Sequence, residues 1–476
     1  MDCLAWNRRR CSSFQFDCII RTTFFFKSLL TEKKKGAIIN EIEAKYRKTG
    51  VSDMKKQVLE IYPRVFLADK TQKVYVKLDG VCASDRVIIK IQPMEIYAVK
   101  HTDIYRVDEE ERYSYCEMTA EDNGVYSYEY PFFKEQKYDV KIKVGDELLL
   151  WSHVYSVLPD LAALRVYKGD THLHSCRSDG EGTPFEVACN YRAAGYDFIA
   201  ITDHHRYVPS LEGKAAVEKW TKAYRVFKGE EVHNRDMGYF HIINFDGGFS
   251  VNDIVETRDE YVQSEVAKIL AKRDIPDTVA DKYDCAYRIF VAEQIQKGGG
   301  LAIMAHPYWD VYGEYHMPAA TTEYLLKRGT FDALELLAAD DCDGNGDNLQ
   351  IAMWGDLRAA GYKIPVLGAS DSHSCTAPNS LFNHQFSLVF ADGFDGIKSA
   401  IKAERSVAVL SFDDEKFLVF GMLRYVKYAR FLLKEYFPAY KQLTAKHAAA
   451  IKAEDGKAVV AAEDEISALN QKFFAF

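Results

Sequence analysis

Between Val166 and Ser411 short apolar runs alternate with helix-like stretches, and this rhythm restricts what that part of the chain can fold into. Strand-like runs fall at Phe198–Thr202, Ala223–Lys228, Phe240–Phe245, Leu301–Ala305, Ala333–Leu337, Ile364–Gly368, Phe386–Phe390 and Val407–Leu410. Helical patterns lie between several of them, for example Phe185–Ala194, Tyr283–Lys297 and Leu349–Ala360. Strands that alternate with helices imply an α/β fold with a mainly parallel sheet or a βα-barrel. In such a barrel the residues just after the strands converge on one face.

Those positions carry a recurring chemistry. Gly169-Asp170-Thr171-His172-Leu173-His174 runs on to Arg177 and Asp179. Ile201-Thr202-Asp203-His204-His205 follows an apolar run, and Gly229-Glu230-Glu231-Val232-His233 precedes His241. Ile303-Met304-Ala305-His306-Pro307 and Leu367-Gly368-Ala369-Ser370-Asp371-Ser372-His373 complete the series. In an extended segment residues two apart face the same side, so His172 and His174 can reach one metal ion. One or two such histidines would be ordinary satisfied core residues. Five groups in order, four of them directly after strand-like runs, point instead to a metal-dependent site.

The segments resemble the PHP (polymerase and histidinol phosphatase) family of metal-dependent phosphoesterases, over about Tyr167 to Ser411 and with every ligand motif in order. The resemblance implies a distorted seven-stranded βα-barrel holding two or three divalent metal ions. One metal would be held by His172, His174, Glu231 and Asp371. A second would share Glu231 and add His241 and His306, and a third would take Asp179, His204 and His373. Trp354-Gly355-Asp356-Leu357 is similar to the family's helix before the Asp371 strand. Nitrogen and carboxylate ligands without thiolate suit zinc, manganese or iron. Metal ions so held activate water and neutralise charge on phosphate oxygens, so Glu231 and Asp371 are the expected catalytic residues. Arg177 joins them as a group able to grip a phosphate.

Neighbouring residues have plainer readings. Asp203 and Asp170 could orient imidazoles or cap turns. Arg206 reads as solvated, and His205 and His233 as packing or solvent, because adjacent residues of extended chain point opposite ways. His101, His153, His316, His384 and His447 fall outside the motifs and read as structural. Asp341-Cys342-Asp343-Gly344-Asn345-Gly346 opens like a calcium loop, but its twelfth position would be Ala352 rather than a bidentate Glu. No GxxxxGK[ST] phosphate loop is present.

Around this region three further segments are expected. Residues 54–165 contain period-two runs such as Val74–Leu78, Val87–Ile91 and Val140–Val144, which suggest a β-sandwich ahead of a barrel spanning 166–412. Residues 413–476 read as C-terminal helices, with Phe417–Phe437 an amphipathic docking or dimerisation helix. Residues 1–53 read as an N-terminal extension ahead of an ordinary start at Met54.

Composition bounds the function classes. With 61 basic and 70 acidic residues among 476, the chain carries a formal charge of −9, which disfavours extended nucleic-acid contact. Ten scattered cysteines without a CxxC pair suit a reducing cytoplasm. No run approaches the roughly 18 apolar residues of a membrane span. The expected protein is a cytoplasmic hydrolase acting on a small phosphomonoester or phosphodiester, with no membrane partner and a possible homo-oligomer. Short nucleic acid, a carbamate or carboxylic ester, and a non-enzymatic glycan- or partner-binding role are the alternatives.

Overall fold

Period-two hydrophobicity pairs the first strands of the computed structural model, which describes residues 56–82, 84–95, 114–234, 240–272, 274–338, 345–377, 380–412 and 416–476. Residues 1–53, His101 and the 341–344 start of the calcium-like loop lie outside them. Strands β1 (Gln57–Tyr62), β3 (Lys70–Asp79), β7 (Val125–Phe132) and β6 (Thr119–Ala120) form one sheet in that order. A second sheet runs β2 (Val65–Leu67), β9 (Glu147–Val157), β8 (Gln136–Val144), β4 (Val87–Pro93) and β5 (Cys116–Glu117). Alternate residues of β3, β4 and β8, among them Val74, Val76, Ile89, Val140 and Ile142, share one buried cluster between the sheets. Each such side chain contributes roughly 1.5–3 kcal/mol by leaving water.

The strand–helix rhythm is realised as two mixed sheets. The first is ordered β12 (Arg225–Phe227), β11 (Phe198–Ala200), β10 (Arg165–Asp170), β20 (Gln385–Ala391), β21 (Ser406–Ser411) and β22 (Phe417–Gly421). The second is ordered β13 (Gly229–Val232), β14 (Ile242–Phe245), β15 (Leu301–Met304), β18 (Ala333–Leu337) and β19 (Val366–Gly368). A hairpin of β16 (Asp310–Val311) and β17 (Glu314–Tyr315) projects after β15.

Two expectations change here. The described strands do not hydrogen-bond into a single seven-stranded barrel. They divide between the two sheets, which isolated bridges connect at Leu173–Ser372 and His204–Glu231. Nor is the sheet mainly parallel: β10–β11–β12 and β15–β18–β19 are parallel, whereas β13–β14–β15 and β10–β20–β21–β22 are antiparallel. Parallel neighbours need a crossover of a dozen or more residues, and only residues 233–241 separate β13 from β14.

The expected helix over Phe417–Phe437 also divides. Its first residues are β22, paired antiparallel with β21, and the helix begins at Leu423. Phe417 and Val419 pack against one core cluster and Phe420 against another, a period of two that a helix could not satisfy. The helices Leu423–Glu435, Phe437–Lys452 and Gly456–Phe473 then close over the first sheet. Tyr428, Leu432, Tyr436 and Tyr440 share a buried cluster with Tyr155 of β9 and Val166 of β10. Residues Val58–Phe476 thereby form one compact unit. Among the described residues no helix is long and apolar enough to cross a membrane.

Candidate metal centre

The motif residues arrive together because strand ends from both sheets meet. β10 stops at Asp170, and the extended His172–His174 segment continues against the loop after β19: Asp371 N donates to His172 O and His174 N to Ser372 O. Leu173, fully buried, points the other way, so the two imidazoles share a face. Glu231 lies on β13, and the antiparallel return through β14 brings His241, just before that strand, to the same end. His306 follows β15 and Asp371 follows β19. Asp371 has φ 46°, a left-handed conformation that an L-residue adopts at a cost of about 1–2 kcal/mol.

All nine expected ligands converge. His172 Nε2 lies 3.1 Å from Asp371 Oδ1 and 3.4 Å from Glu231 Oε2, and His174 Nε2 lies 2.9 Å from Asp371 Oδ1. His241 Nδ1 is 2.8 Å from Glu231 Oε1, with His306 Nε2 3.7 Å from the same oxygen. Asp179 Oδ2 is 3.4 Å from both His204 Nε2 and His373 Nε2. The donor atoms form overlapping groups within 4.8 Å: His172, His174 and Glu231; His172, His306 and Asp371; Glu231, His241 and His306; and His174, Asp179, His204 and His373.

The donor set fits divalent metal ions. Both Glu231 oxygens and His172 Nε2 are buried and make no hydrogen bond, despite neighbours at these short separations. Buried polar atoms crowded together without hydrogen bonds are costly unless a cation sits among them. Burial alone would raise the Glu231 carboxyl, but His241, His172 and His204 outweigh it and hold its pKa well below the usual range. Asp371 is held down likewise, against its burial, by His172 and His174. Burial also works against charge on His204, yet Glu231 and Asp179 carry its pKa up to about 10.

Beyond the expected ligands the structure adds three residues. Glu335, fully buried on β18, accepts from His172 Nδ1 at 3.1 Å and from the His306 backbone N–H at 3.3 Å. The only sign of it in the sequence is a lone carboxylate in the apolar Ala-Leu-Glu-Leu-Leu run. His233, read as packing or solvent, instead reaches His204, with its Nε2 2.7 Å from His204 Nδ1. It stands two residues after Glu231, a spacing that in extended chain puts both side chains on one face. His316, read as structural and remote, is buried against His241 and accepts from its backbone N–H at 3.2 Å. The β16–β17 hairpin folds it back, a long-range placement with no local sequence signal.

Other neighbours resolve simply. Asp203 accepts from Ser175 N, Ser175 Oγ and Ser178 Oγ, and Asp170 accepts from the backbone N–H groups of His172 and Ser370. Both therefore tie down turns. Arg177 is bidentate to Glu212 at 2.8 and 3.0 Å, and the exposed His205 pairs with Glu256 at 2.9 Å.

No family model matches the chain, and no curated protein does. Among solved structures, similarity is found to a two-domain protein from Bacteroides vulgatus containing a predicted PHP-like metal-dependent phosphoesterase. It is 19% identical, covers 58% of this chain and 72% of that one, and has a TM-score of 0.39. A candidate metal-dependent phosphoesterase from Bifidobacterium adolescentis is 18% identical over 44% of this chain and 90% of that one, with a TM-score of 0.32. An amidohydrolase from Chromobacterium violaceum, with bound sulfate and no metal, is 19% identical over 43% and 87%, with a TM-score of 0.29. At these scores the likenesses carry no weight, and the site stands on its own geometry.

Proposed function

We propose that the chain is a metal-dependent hydrolase of PHP type that cleaves a small phosphomonoester or phosphodiester, its two mixed sheets being the halves of a distorted barrel. One observation carries this reading: buried histidines and carboxylates from both sheets aim their ligand atoms into overlapping donor groups around Glu231 and Asp371. Such a concentration of unsatisfied donors costs stability and is retained where a cation repays it.

His172, His174, Glu231 and Asp371 would hold one divalent cation, Glu231 with His241 and His306 a second, and Asp179, His204 and His373 a third. Zinc, manganese and iron fit the nitrogen and oxygen donors. A cation held there supplies Lewis acidity toward a phosphoryl oxygen and toward water. The chain's own groups set the stage for it. Glu335 keeps the His172 proton on Nδ1 and leaves Nε2 free to ligate. Trp309 packs against His241 and His306, ring centroids 5.5 and 5.3 Å away, and shields that side from water. Arg177 is proposed for the phosphate side of the reaction and would leave Glu212 to take it.

Elemental analysis of the purified protein, paired with hydrolysis of an aryl phosphodiester and an aryl phosphomonoester, tests the reading. The expected result is two or three equivalents of metal and turnover that a chelator abolishes. A His172→Ala/His174→Ala variant should lose both together. Absence of metal, with no turnover after zinc, manganese or iron is added, would overturn the proposal.

A further inference from the structure

A second concave surface shares no residue with the histidine cluster. It is a groove of about 500 Å³ where the sandwich meets the helix Leu423–Glu435, its lining including Lys137, Tyr155, Phe417, Arg430, Phe431 and Lys434 together with the carboxylates of Glu95 and Glu435. That volume is in the range of small-molecule sites, roughly 300–1,000 Å³. Aromatic rings and cations thus share the groove with two carboxylates. Arg430 and Lys434 stand four residues apart on one helix face, and Lys137 reaches in from β8.

The other cations of this seam are matched. Arg64 pairs with Glu435, Lys427 with Glu95 at 2.7 Å, and Arg424 with Glu135 and Asp160, both at 2.6 Å. Lys137, Arg430 and Lys434 have no ion pair among the described residues, although the chain carries more acidic than basic side chains. The two acids that line the groove are already engaged, Glu435 by Arg64 and by His153 Nδ1 at 3.4 Å and Glu95 by Lys427. Burial lowers the Lys137 pKa, and the charges of Lys434 and Arg430 lower it further against Glu435 and Asp139, which raise it. Three like charges gathered in one groove repel one another, a cost that an anionic ligand would remove.

We propose that this groove binds a small phosphomonoester dianion, its phosphoryl oxygens on Lys137, Arg430 and Lys434 and its apolar body against Tyr155, Phe417 and Phe431. A phosphoryl group fits better than a carboxylate because it offers three terminal oxygens and up to two charges to three separate donors. The site is independent of the chemistry proposed for the histidine cluster.

Lysine acetylation read by mass spectrometry on the intact wild-type chain tests it, with benzylphosphonate as the probe. The carbon–phosphorus bond of this probe resists a phosphoesterase. Benzylphosphonate is expected to protect Lys137 and Lys434 while leaving Lys446, paired with Glu465 elsewhere, unchanged. Replacing the exposed Arg430→Ala should raise the half-protecting concentration about tenfold. Inorganic phosphate should protect the same lysines only at higher concentration. No protection at millimolar probe, or protection indifferent to Arg430→Ala, would overturn the site. Equal potency of inorganic phosphate would overturn its apolar half.

Discussion

The Glu335 carboxylate lies fully buried between His172 Nδ1 and the backbone N–H of His306, so one side chain orients two of the proposed ligands. A carboxylate behind an imidazole fixes its tautomer and strengthens it as a donor, and loss of such a partner weakens metal affinity about 10–100-fold. Glu335→Gln keeps the volume and one acceptor oxygen but removes the charge. It should lower metal affinity in that range in a competition titration against a chelator, with the far-ultraviolet spectrum unchanged. Affinity equal to wild type would show that the imidazole is held by packing alone. Glu335 also marks where sequence reading stops. The nine expected ligands, which the structure brings together, could be named from sequence because they fall in short motifs, most of them in or just after strand-like runs. Glu335 and His316 act through contacts across sheets or through a folded-back hairpin, which no local spacing encodes, whereas His233 carried a signal in its place two residues after Glu231.

At the scale of elements, the positions of strands and helices were legible, but the way the strands pair was not. Hydrophobic runs announce a strand; whether its neighbour is parallel depends on the connection and on which edges are free. β22 shows the limit: Phe417–Gly421 is too short for its alternation to stand out beside the long amphipathic pattern that follows. The two sheets come close at Gly368, whose N–H donates to Ser387 Oγ on β20. A Cβ there would lie 2.4 Å from the Phe386 carbonyl oxygen, a backbone atom that cannot step aside without moving β20. Gly368→Ala should therefore destabilise the fold by about 1–3 kcal/mol, as overpacking commonly does. Because Asp371 follows three residues later, metal affinity should fall with it. Urea unfolding of the metal-free variant against wild type checks the first effect and metal titration the second. An unchanged unfolding midpoint would mean that the sheets separate more easily than the hydrogen bonding implies.

For the whole molecule, the question is what fastens the C-terminal helices to the sheets that carry the site. Much of the contact is apolar, but a buried polar knot runs through it. The Arg192 guanidinium, fully buried, donates to Tyr196 O at 2.8 Å, to Tyr440 OH at 3.2 Å and to His447 Nδ1 at 3.0 Å. His447 thus accepts on Nδ1 and presents its Nε2 proton to Glu463, 3.3 Å away on the last helix. Burial, and then the Arg192 charge, lower the His447 pKa to about 3. The sign follows directly. Below the ordinary value of 6.5 the unfolded chain binds a proton that the folded chain refuses until about pH 3. Stability from this group is therefore complete above pH 6.5 and falls as the pH drops, by about 1.4 kcal/mol per unit. His447→Gln has no proton to gain, so its urea midpoint should decline less steeply than that of wild type between pH 7 and pH 5. Carboxylates contribute the same background to both proteins, which leaves the difference in slope to His447. Parallel slopes would mean that His447 is already charged in the fold, paired with Glu463 rather than held neutral by Arg192.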